Sequence, residues 1–410
     1  MAKFILANCT IVDATKQQPD HGMNVLISDG LIKDISANLI IDVQAQTIDL
    51  KGKTLMPGLI DAHVHVTAAK LDLVNDDIPT SEVSVQAAKF LENMLQRGFT
   101  SVRDAGGADF GLANAINNGL ITGPRLFYCG KALSQTGGHG DFRKANIGGD
   151  ICSCACSGSN ISRIADGITE VRKAARDEIR KGATQIKIMA SGGVASLTDK
   201  ITNLQYSREE IAAIVEEAQN AGIYVMAHAY SPQAISRCVE LGVRTIEHGN
   251  LLDEYSAKQM AKYGAYLVPT LVTYDSLFKL GKTNGISADI LAKLDIVRSG
   301  GLQAIQIARK NKVKVGFGTD LLGIDGHLSE SLEFKIRATL ETSQQILESV
   351  TLINAEILNQ TGRLGVVAKG AYADLIVVNG SPLNDITLLA DPDQNLDLVM
   401  KAGVIYKNRC

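Results

Sequence analysis

Apolar positions in the first 56 residues come in short runs, at 4–12, 24–27, 31–35 and 47–50, broken by turn signals such as Ser28-Asp29-Gly30. None has the length or the 3.6-residue period of a helix, so each predicts a strand. The end of the chain has the same texture: runs at 373–378 and 398–405 flank Asn379-Gly380-Ser381-Pro382. The middle is patterned differently. Amphipathic stretches at 164–181, 208–221, 232–241 and 254–263 each stop at a glycine, and short apolar runs follow at 183–190, 223–229, 243–247 and 265–268. Further apolar runs at 58–66, 100–104, 125–129 and 313–318 read as strands. Alternation of this kind predicts α/β architecture with a parallel sheet. About eight such units suit a closed (β/α)8 TIM-like barrel, whose site lies at the C-terminal strand ends. The expected layout is a barrel over residues 57–363 and a small β-sandwich domain built from both termini, 1–56 plus 364–410. A doubly wound sheet is the structural alternative, but the chain has neither G-x-G-x-x-G nor a P-loop.

The seven histidines concentrate at predicted strand ends. His63 and His65 close the first barrel strand, and an i, i+2 pair on a strand turns both imidazoles to one face. His228 ends the fifth strand, His248 the sixth, and Asp320 the last. Each alone is commonplace, but a barrel brings its strand ends to one rim. Imidazole plus carboxylate is the donor set of zinc and similar metals. Lys187 is odder: it sits at the centre of the apolar run Ile186-Lys187-Ile188-Met189-Ala190. A charged, unpaired lysine there costs several kcal/mol, on the order given for buried charge. It reads as an ion-paired structural lysine, a Schiff-base lysine, or an amine that adds carbon dioxide to become a carbamate bridging two metals. Taken alone it favours the ion pair; with four histidines and an aspartate at the same rim, the carbamate is preferred.

Composition narrows the partners. The chain has 410 residues, 45% hydrophobic and 21% charged, with 41 Lys plus Arg against 44 Asp plus Glu, a net charge of -3. No basic surplus exists to hold a nucleic-acid backbone. No run of about 18 uncharged apolar residues predicts a membrane span, and the start lacks the features of a signal peptide. Seven cysteines form no disulfide framework, so a reducing, cytoplasmic setting is expected. The expected partner is a small-molecule or dipeptide substrate, and a homo-oligomer stays open.

The order H-x-H on strand one, Lys on strand four, His on strands five and six and Asp on strand eight resembles the amidohydrolase superfamily. The lead-in Met56-Pro57-Gly58-Leu59-Ile60-Asp61-Ala62-His63-Val64-His65 looks like its first-strand signature, and residues 370–378 resemble its returning C-terminal β domain. Within it, Lys187-Ile188-Met189-Ala190-Ser191-Gly192-Gly193, Ala227-His228-Ala229-Tyr230, Val268-Pro269-Thr270 and Gly316-Phe317-Gly318-Thr319-Asp320 look like the binuclear branch of bacterial Xaa-Pro dipeptidases and related, imidazolonepropionase-like metallocarboxypeptidases. Deaminase members carry a proton-shuttling Glu soon after the strand-five histidine, whereas His228 is followed by Ala229-Tyr230-Ser231-Pro232-Gln233.

The resemblance implies two divalent ions, expected to be zinc. His63, His65 and Asp320 would hold the buried ion, and His228 and His248 the outer one, with carboxylated Lys187 bridging. A hydroxide shared by the metals would attack the amide, His139 would polarise the carbonyl, and Asp320 would move the proton to the leaving nitrogen. His139, in Gly137-Gly138-His139-Gly140-Asp141, and Tyr230 are the implied substrate contacts, Tyr230 gripping a carboxylate. The expected activity is Xaa-Pro dipeptidase. Alternatives are the same site acting on an N-acyl amino acid, a carbamate or a cyclic amide, a Schiff-base aldolase using Lys187, and a metal-binding protein without activity. The Arg103-Asp104 pair is expected to be a structural ion pair. Cys152-x-Cys154-x-Cys156 is too tightly spaced for a zinc site and reads as a loop. His21 defaults to surface or core duty, and His327 could reach the rim but fits no motif.

Overall fold

The computed structural model describes residues 2–71, 73, 78–143, 161–194, 199–284 and 288–410. The chain opens with β1 (Lys3–Ile11), β2 (Asp20–Ser28), β3 (Leu31–Ser36), β4 (Ala45–Asp49) and β5 (Thr54–Pro57). Strands β6 (Leu59–Val64), β7 (Phe99–Asp104), β8 (Arg125–Tyr128), β9 (Ala132–Ser134), β10 (Ser162–Ile164), β11 (Ile186–Met189), β12 (Val225–Ala229), β13 (Thr245–His248), β14 (Tyr266–Val268) and β15 (Lys314–Val315) follow. Between them run α1 (Thr80–Gln96), α2 (Phe110–Asn117), α3 (Gly167–Arg180), α4 (Arg208–Asn220), α5 (Pro232–Glu240), α6 (Glu254–Tyr263), α7 (Leu271–Asn284) and α8 (Ala288–Lys310). Helix α9 (Leu332–Arg337) and strands β16 (Leu375–Val378), β17 (Leu396–Lys401) and β18 (Val404–Asn408) lie towards the end.

Both termini share one sheet, ordered β18-β17-β16-β5-β1-β2-β3, with β4 added to β1. Its core joins Leu6, Val25, Ile27 and Leu55 to Leu375, Val377, Leu398 and Met400. The run at 398–405, expected as one strand, is a hairpin: Ala402 (φ 50) and Gly403 (φ 74) turn the chain between β17 and β18.

The strands of the middle are all parallel, in the orders β6-β7-β8 and β10-β9-β11-β12-β13-β14-β15. Hydrogen bonds bridge both edges of these groups. The Thr184 N–H donates to the Tyr128 carbonyl (2.9 Å) on one side, and the Ala62 and Asp320 N–H groups donate to Phe317 (2.9 Å) and His63 (2.8 Å) carbonyls on the other. Helix starts are set by side chains: Ser207 and Glu210 form a capping box on α4, and Asp253 accepts from the Ser256 N–H on α6. Helix stops fall at the glycines that the pattern marked; Gly182 (φ 88) and Gly242 (φ 95) follow α3 and α5 in the left-handed region open to glycine. Helix α3 begins three residues later than the pattern suggested, because Ile164 is the last residue of β10.

Helices α7 and α8 had no clear sequence signal. Gly300-Gly301 inside α8 reads as a breaker, yet it is a packing device. A Cβ on Gly300 would stand 2.5 Å from the Asn250 carbonyl oxygen, so the absence of side chains lets α8 lie against the end of β13.

Candidate active site and metal centre

Register aligns the chemistry. Met189 of β11 pairs with His228, His228 with Glu247, and Ala229 with His248. On the other flank, the Thr319 and Asp320 N–H groups both donate to the His63 carbonyl, which seats Asp320 beside β6. Asp61 locks this junction by accepting from the N–H groups of His63 (3.0 Å) and Thr319 (3.2 Å) and from Thr319 Oγ1 (2.6 Å). His248 (φ 72) and Asp320 (φ 53) both have left-handed backbone, a sparsely populated conformation for a residue with a Cβ.

Ring-nitrogen geometry shows what the donors can do. His63 Nδ1 lies 2.6 Å from Glu247 Oε2, and His65 Nδ1 lies 2.9 Å from the Gly106 carbonyl oxygen. Both oxygens only accept, so each Nδ1 carries the proton and each Nε2 presents a lone pair. The two Nε2 atoms stand 3.3 Å from the same Asp320 Oδ1. His63 Nε2 is buried without a hydrogen-bond partner. Three electron-rich atoms converging within 4.8 Å of one another form a donor set that a divalent cation satisfies.

His228 and His248 stand face to edge, ring centroids 4.7 Å apart, beside this group. His228 Nε2 is 3.2 Å from the Gly192 carbonyl oxygen, which leaves Nδ1 as its lone-pair atom, and His248 Nδ1 lies 2.8 Å from Thr270 Oγ1. Burial holds the His65 imidazole down at about 4 and pushes His228 and His248 well below the usual histidine range, so the rings are neutral and keep a lone pair. Asp320 stays ionised: burial alone would raise its pKa, and His63, His65 and Lys187 together lower it.

Lys187 is 1% exposed, and its side chain lines the cavity above these groups. Burial lowers its pKa, against the pull of Glu247 and Asp320. No described carboxylate comes within the 4.0 Å of an ion pair to it, which removes the reading as a paired structural lysine.

The same cavity is lined by His65, His139, His228, Tyr230, His248 and Asp320. His139 stacks on His228 with centroids 4.4 Å apart. This approach requires Gly193, since a Cβ there would stand 2.1 Å from the His139 ring. The Tyr230 hydroxyl is 3.0 Å from that of Tyr274, which donates to Asn250 Oδ1 (3.2 Å). The donor direction therefore runs from Tyr230 to Tyr274.

Two expectations change. Arg103 is ion-paired, but to Glu247 (2.9 Å) rather than to Asp104. Asp104 instead accepts from the N–H groups of Val66, Gly106 and Ala108, shaping the loop beside His65. His327 is buried and stacked on Phe90 at 4.0 Å, and it does not line the cavity. His21 is exposed, beside Thr10. Cys152, Cys154 and Cys156 lie outside the described residues. Sequence reasoning missed Tyr274 and Glu247. Glu247 had a usable signal, since a carboxylate inside the apolar run Ile246-Glu247-His248 is as odd as Lys187.

The Amidohydrolase family model matches residues 54–406. The chain belongs to the amidohydrolase family. Aspergillus niger ochratoxinase is 34% identical over 367 residues, covering 86% of this amidohydrolase and 75% of that protein. A crystal structure of a prolidase complexed with N-methylphosphonate-L-proline is 48% identical, with a TM-score of 0.96 over 99% of this chain and 100% of that one. A Xaa-Pro dipeptidase with bound methionine in its active site is 29% identical, with a TM-score of 0.89 over 99% and 100% of the two chains. This amidohydrolase is accordingly a hydrolase acting on carbon–nitrogen bonds, and its fold neighbours imply a TIM-like barrel with an extra domain. The aldolase reading of Lys187 is dropped.

Proposed function

We propose that this amidohydrolase is a zinc-dependent dipeptidase that cleaves L-Xaa-L-Pro. The observation that carries the reading is the convergence of two histidine lone pairs on Asp320 Oδ1 beside a buried Lys187 that has no ion-pair partner among the described residues. The likeness to a prolidase that holds N-methylphosphonate-L-proline supports the substrate. In this reading His63, His65 and Asp320 hold one ion, His228 and His248 the other, and carboxylated Lys187 joins them. The hydrogen bonds at both sheet edges support one closed (β/α)8 barrel over 57–363, and the sheet shared by β1–β5 and β16–β18 supports one small β domain, read as a sandwich, from 1–56 plus 364–410. Free, buried Cys9, Cys129 and Cys238 support a cytoplasmic setting.

When bound, the divalent ions would supply Lewis acidity, lowering the pKa of water and polarising the scissile carbonyl. The chain's own groups do the rest. Asp320 Oδ1 faces the two Nε2 lone pairs and would share an ion with them, while Oδ2, 3.9 Å from His248 Nδ1, is the atom that takes a proton from the attacking water and passes it to the leaving nitrogen. His139, held neutral by burial, offers an N–H to the carbonyl oxygen as charge develops there. Tyr230 turns its hydroxyl from Tyr274 to the substrate carboxylate. Leu73, Val194, Leu277 and Leu322 form an apolar wall that excludes water.

The test compares kcat/KM for an Xaa-Pro dipeptide, its C-terminal amide and the matching Xaa-Leu, in wild type and Tyr230→Phe. A charged hydrogen bond of about 1.5–3 kcal/mol predicts roughly ten- to a hundredfold preference for the free acid, lost in the variant. An amide cleaved as well as the acid sinks carboxylate recognition. A second reading, an N-acyl amino acid with a non-proline leaving group, draws on the likeness to ochratoxinase. It wins if Xaa-Leu or an N-acyl amino acid outperforms Xaa-Pro while the carboxylate still matters.

A further inference from the structure

Glu247 and Arg103 are both 0% exposed, deep beneath the cavity. Arg103 binds both Glu247 oxygens, at 2.9 and 3.0 Å. Its Nε donates to the Ala62 carbonyl at 2.6 Å, and its Nη1 donates to Thr245 Oγ1 at 3.2 Å. The Thr245 hydroxyl donates to Glu247 Oε1. These bonds tie β7 to β6 and β13 and leave Glu247 Oε2 aimed at one further group, His63 Nδ1.

We propose that Glu247, itself anchored by Arg103, is the positioning residue that fixes the tautomer and ring orientation of His63 for the buried metal. Glu247 touches neither substrate nor the reacting atoms. An ionised carboxylate is acceptor-only, so the His63 proton is confined to Nδ1 and the Nε2 lone pair is directed at Asp320. A negative partner also makes the imidazole a more basic ligand. Arg103 supplies the compensating charge that lets an anion persist in a dry interior. His65 has no such carboxylate; its Nδ1 meets the neutral Gly106 carbonyl. The two histidines on β6 are thus supported unequally, and Glu247 acts on one of them.

The inference rests on the reading of His63 as a metal ligand, and the experiment separates the two. Metal-free wild type, Glu247→Gln and the double variant Glu247→Gln/Arg103→Met are titrated with Zn2+ against a chromogenic chelator, and thermal unfolding is recorded alongside. Wild type is expected to bind two equivalents. Glu247→Gln should weaken one site about 10- to 100-fold and leave the other unchanged. The double variant, free of a stranded buried charge, should regain stability but not affinity. Should the single variant fail to fold, the double variant carries the comparison. Two wild-type affinities in a folded variant, or affinity that returns together with stability, overturn the proposal and leave Glu247 a structural anion. A wild type that binds no zinc overturns the metal reading itself.

Discussion

Arg337 of α9 and Arg103 of β7 are both fully buried guanidiniums paired with a glutamate. Arg337 meets Glu341 at 2.6 and 2.9 Å and gives two further hydrogen bonds, to the Gly316 carbonyl and Ser349 Oγ. Arg309 closes the other side of Glu341, at 2.7 and 3.0 Å. None of these residues lines the site cavity. In the Arg103–Glu247 pair one carboxylate oxygen is spent on His63, whose far nitrogen faces Asp320. The same chemistry thus braces the fold in one place and orients a cavity-side histidine in the other. What separates them is whether the last hydrogen bond ends inside the network or at the rim.

The comparison breaks most visibly at Lys187. If it were another structural charge, Lys187→Ala would keep its metals. The expected outcome is loss of the bridge, of most bound metal and of nearly all turnover, read by metal analysis and steady-state kinetics on the folded variant. Two metals per chain with full turnover would remove the carbamate.

Breaking the structural cluster should do the reverse. Glu341→Leu strands Arg337 and Arg309 and should cost about 3–5 kcal/mol, the scale for removing one partner of a buried pair. The denaturant midpoint reads it, while zinc stoichiometry of the folded fraction stays at the wild-type value.

At the rim, Asp320→Asn keeps the shape and removes the proton acceptor. Turnover should fall about a hundredfold or more, the scale of a lost general acid–base. Near wild-type turnover with metals retained would take Asp320 out of proton transfer.

The smallest effect sharpens the contrast between site and filler histidines. Burial pushes the His327 pKa down to about 3, below its unfolded value of 6.5. The unfolded chain therefore binds the proton more tightly, and stability is lost as pH falls from 6.5 towards 3. At pH 5 the loss is roughly 2 kcal/mol. His327→Phe, which preserves stacking on Phe90, should flatten that part of the acid limb in urea titrations. An unchanged slope would place the acid sensitivity elsewhere.

Much of this was legible in the chain because it is local. Helix α6 falls on the expected 254–263, since a cap, a 3.6-residue period and a terminal glycine are all read within about three turns. His63 and His65 announced a shared face through period two alone, Lys187 stood out against an apolar run, and Asp320 stood at a strand end. Helix α8 was hidden because the reason for Gly300-Gly301 is Asn250, some fifty residues away. Pairing was hidden as well. Arg103 has a carboxylate next to it in sequence, but adjacent strand residues point to opposite faces, so Arg103 reaches Glu247 across the interior while Asp104 turns to the β7 loop. Residue types and their spacing determined which donors the protein owns. Only the tertiary structure decided which nitrogen of each ring faces Asp320, because a tautomer is set by the acceptor that meets the other nitrogen, and those acceptors, Glu247 and Gly106, arrive from different strands and loops.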